Sequence, residues 1–185
     1  MNTPNSLPTC PQTTEKALAY YDGLEPVTVE CMLGNWRGEG FETDHPMDGL
    51  LKAYHWHGKR FVSAENVDPL LITTLKGNRT RLNPRFMSPM LGLMIRYKLP
   101  KCHILGKLFQ LVLPLLSTSR SKASLRTTEF RGVSTATMSY DDLPINDVFR
   151  KVDENTVLGI MDSKGMTQPF FFVLRRENER YTILG

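Results

Sequence analysis

Cysteine is scarce in this sequence of 185 residues, and its scarcity excludes two kinds of architecture. The three cysteines, Cys10, Cys31 and Cys102, are too few and too scattered to form a disulfide framework or a thiolate metal cage. Residues 1–13 contain no basic stretch and no apolar run, so they do not resemble a signal peptide. No segment approaches the roughly 18 apolar residues of a membrane-spanning helix. The sequence therefore predicts a cytoplasmic, reduced protein with disordered residues at 1–13.

Acidic residues are absent from one long stretch of the chain. Between Asp68 and Glu129 there are eleven Lys and Arg residues and no Asp or Glu. The other twelve basic residues stand against all 19 acidic residues, so the remainder of the chain has a net charge of −7. Such an asymmetry indicates something about partners rather than about the fold. One interpretation is that the segment 76–122 contacts a membrane surface or an acidic partner, and the other is that its charges form a solvated face. Few aromatic residues accompany its charges, so we predict no nucleic-acid binding.

The common catalytic and cofactor motifs are missing as well. There is no G-x-S-x-G nucleophile motif, no phosphate-binding glycine loop and no H-E-x-x-H zinc motif. The four histidines, His45, His55, His57 and His103, lack the spacing that is typical of a metal site. We therefore predict neither a metal nor a cofactor. Ligand binding and cofactor-free acid–base chemistry remain.

Residues 34–41, GNWRGEGF, give the strongest positive signal. Alternate residues of a strand share one face, so Gly34, Trp36, Gly38 and Gly40 lie together on one side. Glycine weakens a strand and marks a bend or the close approach of another backbone. One indole with gaps beside it on its own face favours a strongly bent strand of a closed barrel. We expect Trp36 to plug one end of that barrel.

These residues resemble the signature of the family named after its Gly-x-Trp-x-Gly (GXWXG) motif, whose members carry a C-terminal domain of unknown function. The resemblance covers residues 34–61 and 130–176, and the second block ends in PFFFVLRR. More loosely, the motif is similar to the first strand of lipocalins and of nitrobindin-type haem barrels, which implies a calycin-like fold. Those haem barrels place their iron-ligating histidine in a C-terminal strand, and no histidine follows His103 here. The resemblance implies a fold but no activity, and it argues against haem.

The rest of the sequence fits a mainly β protein, a single antiparallel up-and-down barrel that spans residues 14–185. Turn residues separate eight to ten candidate strands at intervals of about 10–15 residues. We expect short helices at 14–21 and 50–54, and an amphipathic helix at 104–112 that Pro114 ends. This last helix belongs to the basic insertion at 76–122 and would cover the barrel mouth as a lid.

A barrel of this size either fills its interior with side chains or holds one small ligand. The leading interpretation is binding of a bulky hydrophobic, anionic small molecule. The alternative is a cofactor-independent isomerase, cyclase or lyase, with Asp147, Asp44 and His45 as the acid–base groups, since burial raises the pKa of a carboxyl. Asp147 could instead pair with a basic residue such as Arg150 or face water. Candidate ligand contacts are Trp36, Arg37, Tyr54, Trp56, Lys59, Arg60, Phe130, Met138, Tyr140 and Phe171. The sequence determines neither the ligand nor the oligomeric state.

Overall fold

The computed structural model of the protein describes residues 7–9, 12–86 and 103–177. Parts of the predicted disordered segment 1–13 and of the basic insertion 76–122 lie outside these residues. So does a strand that the sequence predicts at 181–184.

In the described part of the chain, ten strands form one antiparallel sheet, and eight of them close into a barrel. Going round the barrel, the order is β2, β3, β4, β6, β7, β8, β9, β10 and back to β2. The two remaining strands are short: β1 pairs with β8, and β5 pairs with β4. This arrangement confirms the predicted mainly β barrel. The strand bounds are β1 Glu25–Pro26, β2 Gly34–Gly40, β3 Trp56–Phe61, β4 Val67–Thr73, β5 Arg79–Arg81, β6 Ala123–Phe130, β7 Val133–Tyr140, β8 Ile145–Asp153, β9 Thr156–Ser163 and β10 Phe170–Arg176.

Short helices connect and cover the strands: α1 Thr14–Asp22, α2 Val29–Met32, α3 Leu50–Ala53 and α4 His103–Leu116, with one 3-10 turn at Pro84–Phe86. The helix α1 begins where the Thr13 side chain accepts a hydrogen bond from the backbone N–H of Lys16, and Gly23 caps its end. Within the described residues no helix is long and apolar enough to cross a membrane.

The prediction that Pro114 ends the helix of the insertion is wrong, because α4 continues to Leu116 with Pro114 inside it. A proline removes one hydrogen-bond donor, and here it falls in the last turn, where contacts outside the helix hold the chain. The carbonyl of Leu116 accepts a hydrogen bond from the N–H of Asn83, and Ser117 pairs with Leu82. Leu113 is buried. These tertiary contacts outweigh the local cost of the proline.

Alternation along the strands produces two separate apolar clusters. One fills the barrel interior and contains Trp36, Trp56, Phe149 and Phe172 among others. The other lies between the outer face of the barrel and α1, where Tyr21 packs with neighbours that include Phe41, Leu158, Ile160, Phe171 and Val173. Successive residues of β10 therefore point alternately into the barrel and towards α1.

Trp36 is buried, as predicted, with 1% of its surface exposed. Its indole N–H donates to the carbonyl of Met32 at 2.7 Å, which ties the ring to the end of α2. Arg176 is the partner of Trp36 in the pairing of β10 with β2, and its guanidinium lies 4.3 Å from the centre of the Trp36 ring. The same guanidinium donates hydrogen bonds to the carbonyls of Leu33 and Cys31. A cation over an indole contributes a further attraction. The first half of the motif thus joins β2, β10 and α2.

The second half of the motif makes room for a different tryptophan. The Trp56 ring of β3 lies against Gly38, and a Cβ at position 38 would come within 2.0 Å of that ring. Gly40 lies on the same face of the strand, yet no atom of the described residues lies within 4 Å of where its Cβ would be. Only one of these two glycines is therefore required by packing.

Gly38→Ala is expected to destabilise the protein by about 1–3 kcal/mol, the range for overpacking a well-filled core. The extra methyl group must displace the buried Trp56 ring. Gly40→Ala is the matched control and is expected to change stability by less than about 0.5 kcal/mol, as at other open surface positions. Urea unfolding of the two variants beside the wild type measures both effects. Equal stability of the two variants would show that Trp56 is free to move.

Candidate functional site

A β-bulge in β3 determines which basic residue enters the barrel. The pairing of β3 with β4 shifts between Trp56 and Gly58 and again between Gly58 and Arg60. Gly58 has φ +147°, and a Cβ there would lie 2.0 Å from the carbonyl oxygen of Trp36, so the bulge requires glycine. Because of the bulge, Trp56 and Lys59 both lie inside the barrel, whereas Arg60 is exposed.

The ammonium group of Lys59 forms an ion pair with Asp147 across the barrel. Lys59 Nζ lies 2.6 Å from Asp147 Oδ2, and each side chain is 2% exposed. Lys59 also donates to the carbonyl of Pro69 at 3.1 Å. The strands β3 and β8, which carry the pair, are four strands apart in either direction round the barrel. The ion pair therefore connects opposite walls.

Aromatic rings surround the Lys59 ammonium. Its Nζ lies 5.1 Å from the ring centre of Phe172, 5.5 Å from that of Trp56 and 5.7 Å from that of Tyr140. The Phe172 ring rests against Gly159 of β9, where a Cβ would come within 2.4 Å of it. The ion pair thus lies in an apolar surrounding, in which electrostatic interactions are strong and unpaired polar atoms are costly.

Burial shifts the pKa values of all three polar groups at this site. Loss of solvation lowers the pKa of Lys59, and the attraction of Asp147 opposes that shift. Loss of solvation also raises the pKa of Asp147, while Lys59 and then the Tyr140 hydroxyl act to lower it. The pKa of Tyr140 is raised by burial and by the negative charge of Asp147. Burial thus brings the proton affinities of Lys59 and Asp147 closer together, which lowers the cost of moving a proton between them.

Among the described residues, one oxygen of the ion pair has no hydrogen-bond partner. Asp147 Oδ1 is buried and makes no contact of hydrogen-bonding geometry. The Tyr140 hydroxyl interacts with the same carboxyl group and acts to lower its pKa. Buried carboxylate oxygens are nearly always paired, so an unpaired one requires an explanation. It leaves an acceptor that a bound molecule can use.

A small apolar cavity lies beside the ion pair. Its volume is about 40 Å³, and it is lined by Leu50, Leu51, Tyr54, Trp56, Leu70, Ile72, Leu82 and Phe109. Phe109 comes from α4 and meets the Tyr54 ring edge to face at 5.0 Å between the ring centres. Trp56 belongs both to the cavity wall and to the rings around Lys59. The Trp56 ring therefore contacts the cavity and also lies beside the ion pair.

A larger cleft of about 560 Å³ also borders Trp56, and residues of mixed charge such as Arg37, Glu39, Lys52 and His57 line it. Glu177 accepts hydrogen bonds from both guanidinium nitrogens of Arg79 and lies 3.0 Å from His57 Nε2. Burial lowers the pKa of His57, and Glu177 opposes that shift. The lining contains two cations, Arg37 and Lys52, and two anions, Glu39 and Glu42, so its charges do not favour an anionic ligand.

Asp44 and His45 lie in a turn and are not brought to Asp147. Asp44 is exposed and has φ 58°, a left-handed conformation that Asp tolerates. The ring of His45 accepts a hydrogen bond from the N–H of Met47 and contacts the carbonyl of Gln168 at 3.1 Å. Asp48 Oδ2 accepts from the N–H groups of Thr43 and His45. These contacts give the turn a structural role.

The predicted ligand contacts separate into three groups. Those inside the barrel or at its apolar cavity are Trp36, Tyr54, Trp56, Lys59, Met138 and Tyr140. Phe130 and Phe171 pack in the outer cluster against α1. Arg37 and Arg60 are exposed. Across the described part of the chain, no three His, Cys, Asp or Glu side chains converge as metal ligands would.

Two partners of Lys59 were not found from the sequence, Phe172 and the carbonyl of Pro69. Phe172 lies in the run of three phenylalanines at 170–172, which marks a buried strand but not which ring points inwards. Pro69 itself indicates an irregular position in β4, because a proline in a barrel strand removes a ladder hydrogen bond. It does not indicate that its carbonyl binds Lys59.

Fold and site together define a closed β-barrel with a buried lysine–aspartate pair across its interior. Residues 19–77 match the family described as GXWXG protein, and residues 121–176 match the domain of unknown function DUF4334. A crystal structure of a protein from Thermomonospora curvata is similar, with 30% sequence identity, a TM-score of 0.65 and coverage of 89% of this chain and 87% of that chain. Among curated proteins, no sequence matches. The chain belongs to the GXWXG family with its C-terminal DUF4334 domain.

Proposed function

We propose that the apolar cavity beside Trp56 widens to admit an apolar small molecule with one carbonyl or hydroxyl group, and that Lys59, Asp147 and Tyr140 move a proton on it. One observation carries this proposal: the Lys59–Asp147 pair is 2.6 Å long, almost fully buried, and surrounded by apolar side chains. Removing two charges from water costs several kcal/mol per ion, so a buried pair is weak support for stability. Buried ionisable groups with shifted pKa values are typical of functional sites.

The geometry fits a cofactor-free isomerisation of a carbonyl compound. The Asp147 carboxylate would take a proton from the carbon beside the carbonyl group, while Lys59 and Tyr140 donate hydrogen bonds to the enolate oxygen that forms. The proton on Asp147 exchanges with water while the enolate is bound, and its return to a different carbon of the enolate system gives an isomer. The product then contains the same atoms as the substrate, and no oxidant or reductant is consumed. The same proton transfer would serve a cyclase or a lyase.

Binding without chemistry is the second candidate, and the apolar cavity beside Trp56 favours it. All eight side chains that line it are apolar or aromatic, which suits a hydrophobic group, and its volume of about 40 Å³ requires the cavity to widen around a whole ligand. The positive charge of Lys59 is matched by Asp147, and Arg37 and Arg60 are exposed. An anionic group on the ligand is therefore not part of the proposal. A polar, uncharged group suits Asp147 Oδ1 better.

Deuterium uptake separates these two functions. Native mass spectrometry of freshly purified protein identifies a molecule that co-purifies, and that molecule is then incubated with the protein in heavy water. An enzyme that removes a carbon-bound proton is expected to introduce deuterium and raise the mass of the molecule. A carrier returns it unchanged.

The matched control is Asp22→Asn, because Asp22 is also paired with a basic residue, Arg131, but the two side chains are each 40% exposed. This variant is expected to catalyse the same deuterium uptake as the wild type. Release of an unlabelled molecule by wild-type protein after long incubation would contradict the enzymatic proposal and favour the carrier.

A further inference from the structure

The helix α4 is held against the barrel mouth by one face. A Cβ at Gly106 would come within 2.5 Å of the carbonyl oxygen of Ala53, so the helix lies directly on the end of α3. Phe109 and Leu113 are buried, and the Gln110 side chain donates to the carbonyl of Thr73 at 3.0 Å. These four residues follow helical spacing and fix the rotation of α4 about its axis.

The opposite face of α4 presents a continuous apolar stripe to the surface. Leu108, Leu111, Val112 and Leu115 follow the spacing i, i+3, i+4 and i+7, and their exposed fractions are 56%, 74%, 39% and 81%. Single exposed apolar residues are ordinary, but four on one helix face form a patch of the kind that marks an interaction site.

The sequence on both sides of the stripe is basic. The sequence contains no acidic residue from 69 to 128, and α4 lies in the middle of this stretch. Four basic residues of the stretch are paired with acids from outside it, namely Arg79, Arg81, Lys122 and Arg126. Among the described residues, the cations left without such an ion pair are Lys76, Arg85, Lys107 and Arg120.

We propose that the stripe Leu108, Leu111, Val112 and Leu115 docks on an anionic lipid bilayer. An apolar helix face with adjoining positive charge is the arrangement of helices that lie in the interface of a membrane. Negative lipid headgroups complement the acid-free stretch. A second copy of the chain is disfavoured, because pairing of two stripes brings the same unpaired cations of both copies together.

Docking in this orientation would place the apolar cavity under α4 next to the bilayer, where hydrophobic molecules dissolve. This last step rests on the proposed function, whereas docking itself does not. Membrane binding is therefore measured without any ligand, so that its outcome and the outcome of the deuterium experiment are independent.

The test is sedimentation of the protein with vesicles of phosphatidylcholine alone and of phosphatidylcholine with phosphatidylserine. We expect binding to the anionic vesicles, and the double variant Leu111→Asp/Leu115→Asp is expected to bind them at least about tenfold more weakly, since each buried leucine contributes substantially. Added salt should also weaken the binding. Val62→Asp is the matched control. Val62 is an apolar residue, 52% exposed, in the turn that follows β3 and not in α4.

Several results would overturn the membrane assignment. These are no sedimentation with either vesicle, equal binding to both kinds of vesicle, or equal binding by the wild type and the Leu111→Asp/Leu115→Asp variant. A dimer in analytical ultracentrifugation that the same variant abolishes, without vesicle binding, would assign the stripe to a second copy. Circular dichroism of the variant establishes that it is folded, which is expected because both substituted side chains are exposed.

Discussion

Lys59→Met is expected to lower the free energy of unfolding by about 3–5 kcal/mol, the range for breaking a buried ion pair from one side. The substitution keeps the length of the side chain but leaves Asp147 without its partner in an apolar surrounding, and it removes the donor to the Pro69 carbonyl. Urea unfolding at neutral pH measures the loss. The control is Arg131→Gln in the exposed pair with Asp22, which should cost no more than about 1 kcal/mol.

The loss in Lys59→Met should depend on pH in a definite direction. Burial raises the pKa of Asp147, and the positive charge of Lys59 opposes that shift. The Lys59→Met variant lacks this opposing charge. The folded variant then holds the Asp147 proton more tightly than the unfolded chain does. The penalty is therefore absent at acidic pH and grows as the pH rises above the ordinary range of an Asp carboxyl. A loss that is the same at acidic and neutral pH would show that packing, and not charge, is responsible.

Asp147→Asn is expected to lower the rate of deuterium uptake by the ligand by about 10²–10⁴-fold, the usual contribution of a positioned acid or base. Asparagine retains the shape of the side chain but cannot accept the proton. Binding of the ligand should change far less than the rate, because proton transfer acts in the transition state. Uptake by this variant at the wild-type rate would remove Asp147 from the chemistry.

The Asp147→Asn variant also leaves Lys59 without its counter-ion, so its folding has to be checked. The rates of deuterium uptake by the variant and the wild type are compared without denaturant, and only if the near-UV circular dichroism spectra of the two proteins match. Tyr140→Phe provides a second readout with an intact ion pair, and the loss of one donor to the enolate oxygen should also slow uptake.

The sequence allowed the barrel and most of its strands to be predicted, because glycine, turn residues and alternating runs are local signals. Lys59 and Asp147 were each identified, one as a ligand contact and one as an acid. Their pairing was not, since it depends on the register of strands 88 residues apart in the chain. The bulge at Gly58 matters most here. Regular alternation from Trp56 would place Arg60 inside and Lys59 outside, and the structure has the reverse.

The run of three phenylalanines at 170–172 shows a similar limit. A continuous apolar run predicts burial on both faces but not which ring faces which core. Phe172 lies beside Lys59, and Phe171, the predicted ligand contact, packs under α1. Only the pairing of β10 with β2 and β9 decides between these positions. The length of α4 was likewise set by contacts with residues 82 and 83 rather than by Pro114.

The double variant Lys59→Met/Asp147→Leu tests the central claim most directly, since it replaces the ion pair with apolar side chains. If the pair serves function and not stability, the double variant should regain most of the stability that Lys59→Met loses, and its unfolding free energy should lie within about 2 kcal/mol of the wild type or above it. It should show no deuterium uptake. A double variant as unstable as Lys59→Met, or one that still labels the ligand, would contradict the functional role of the pair.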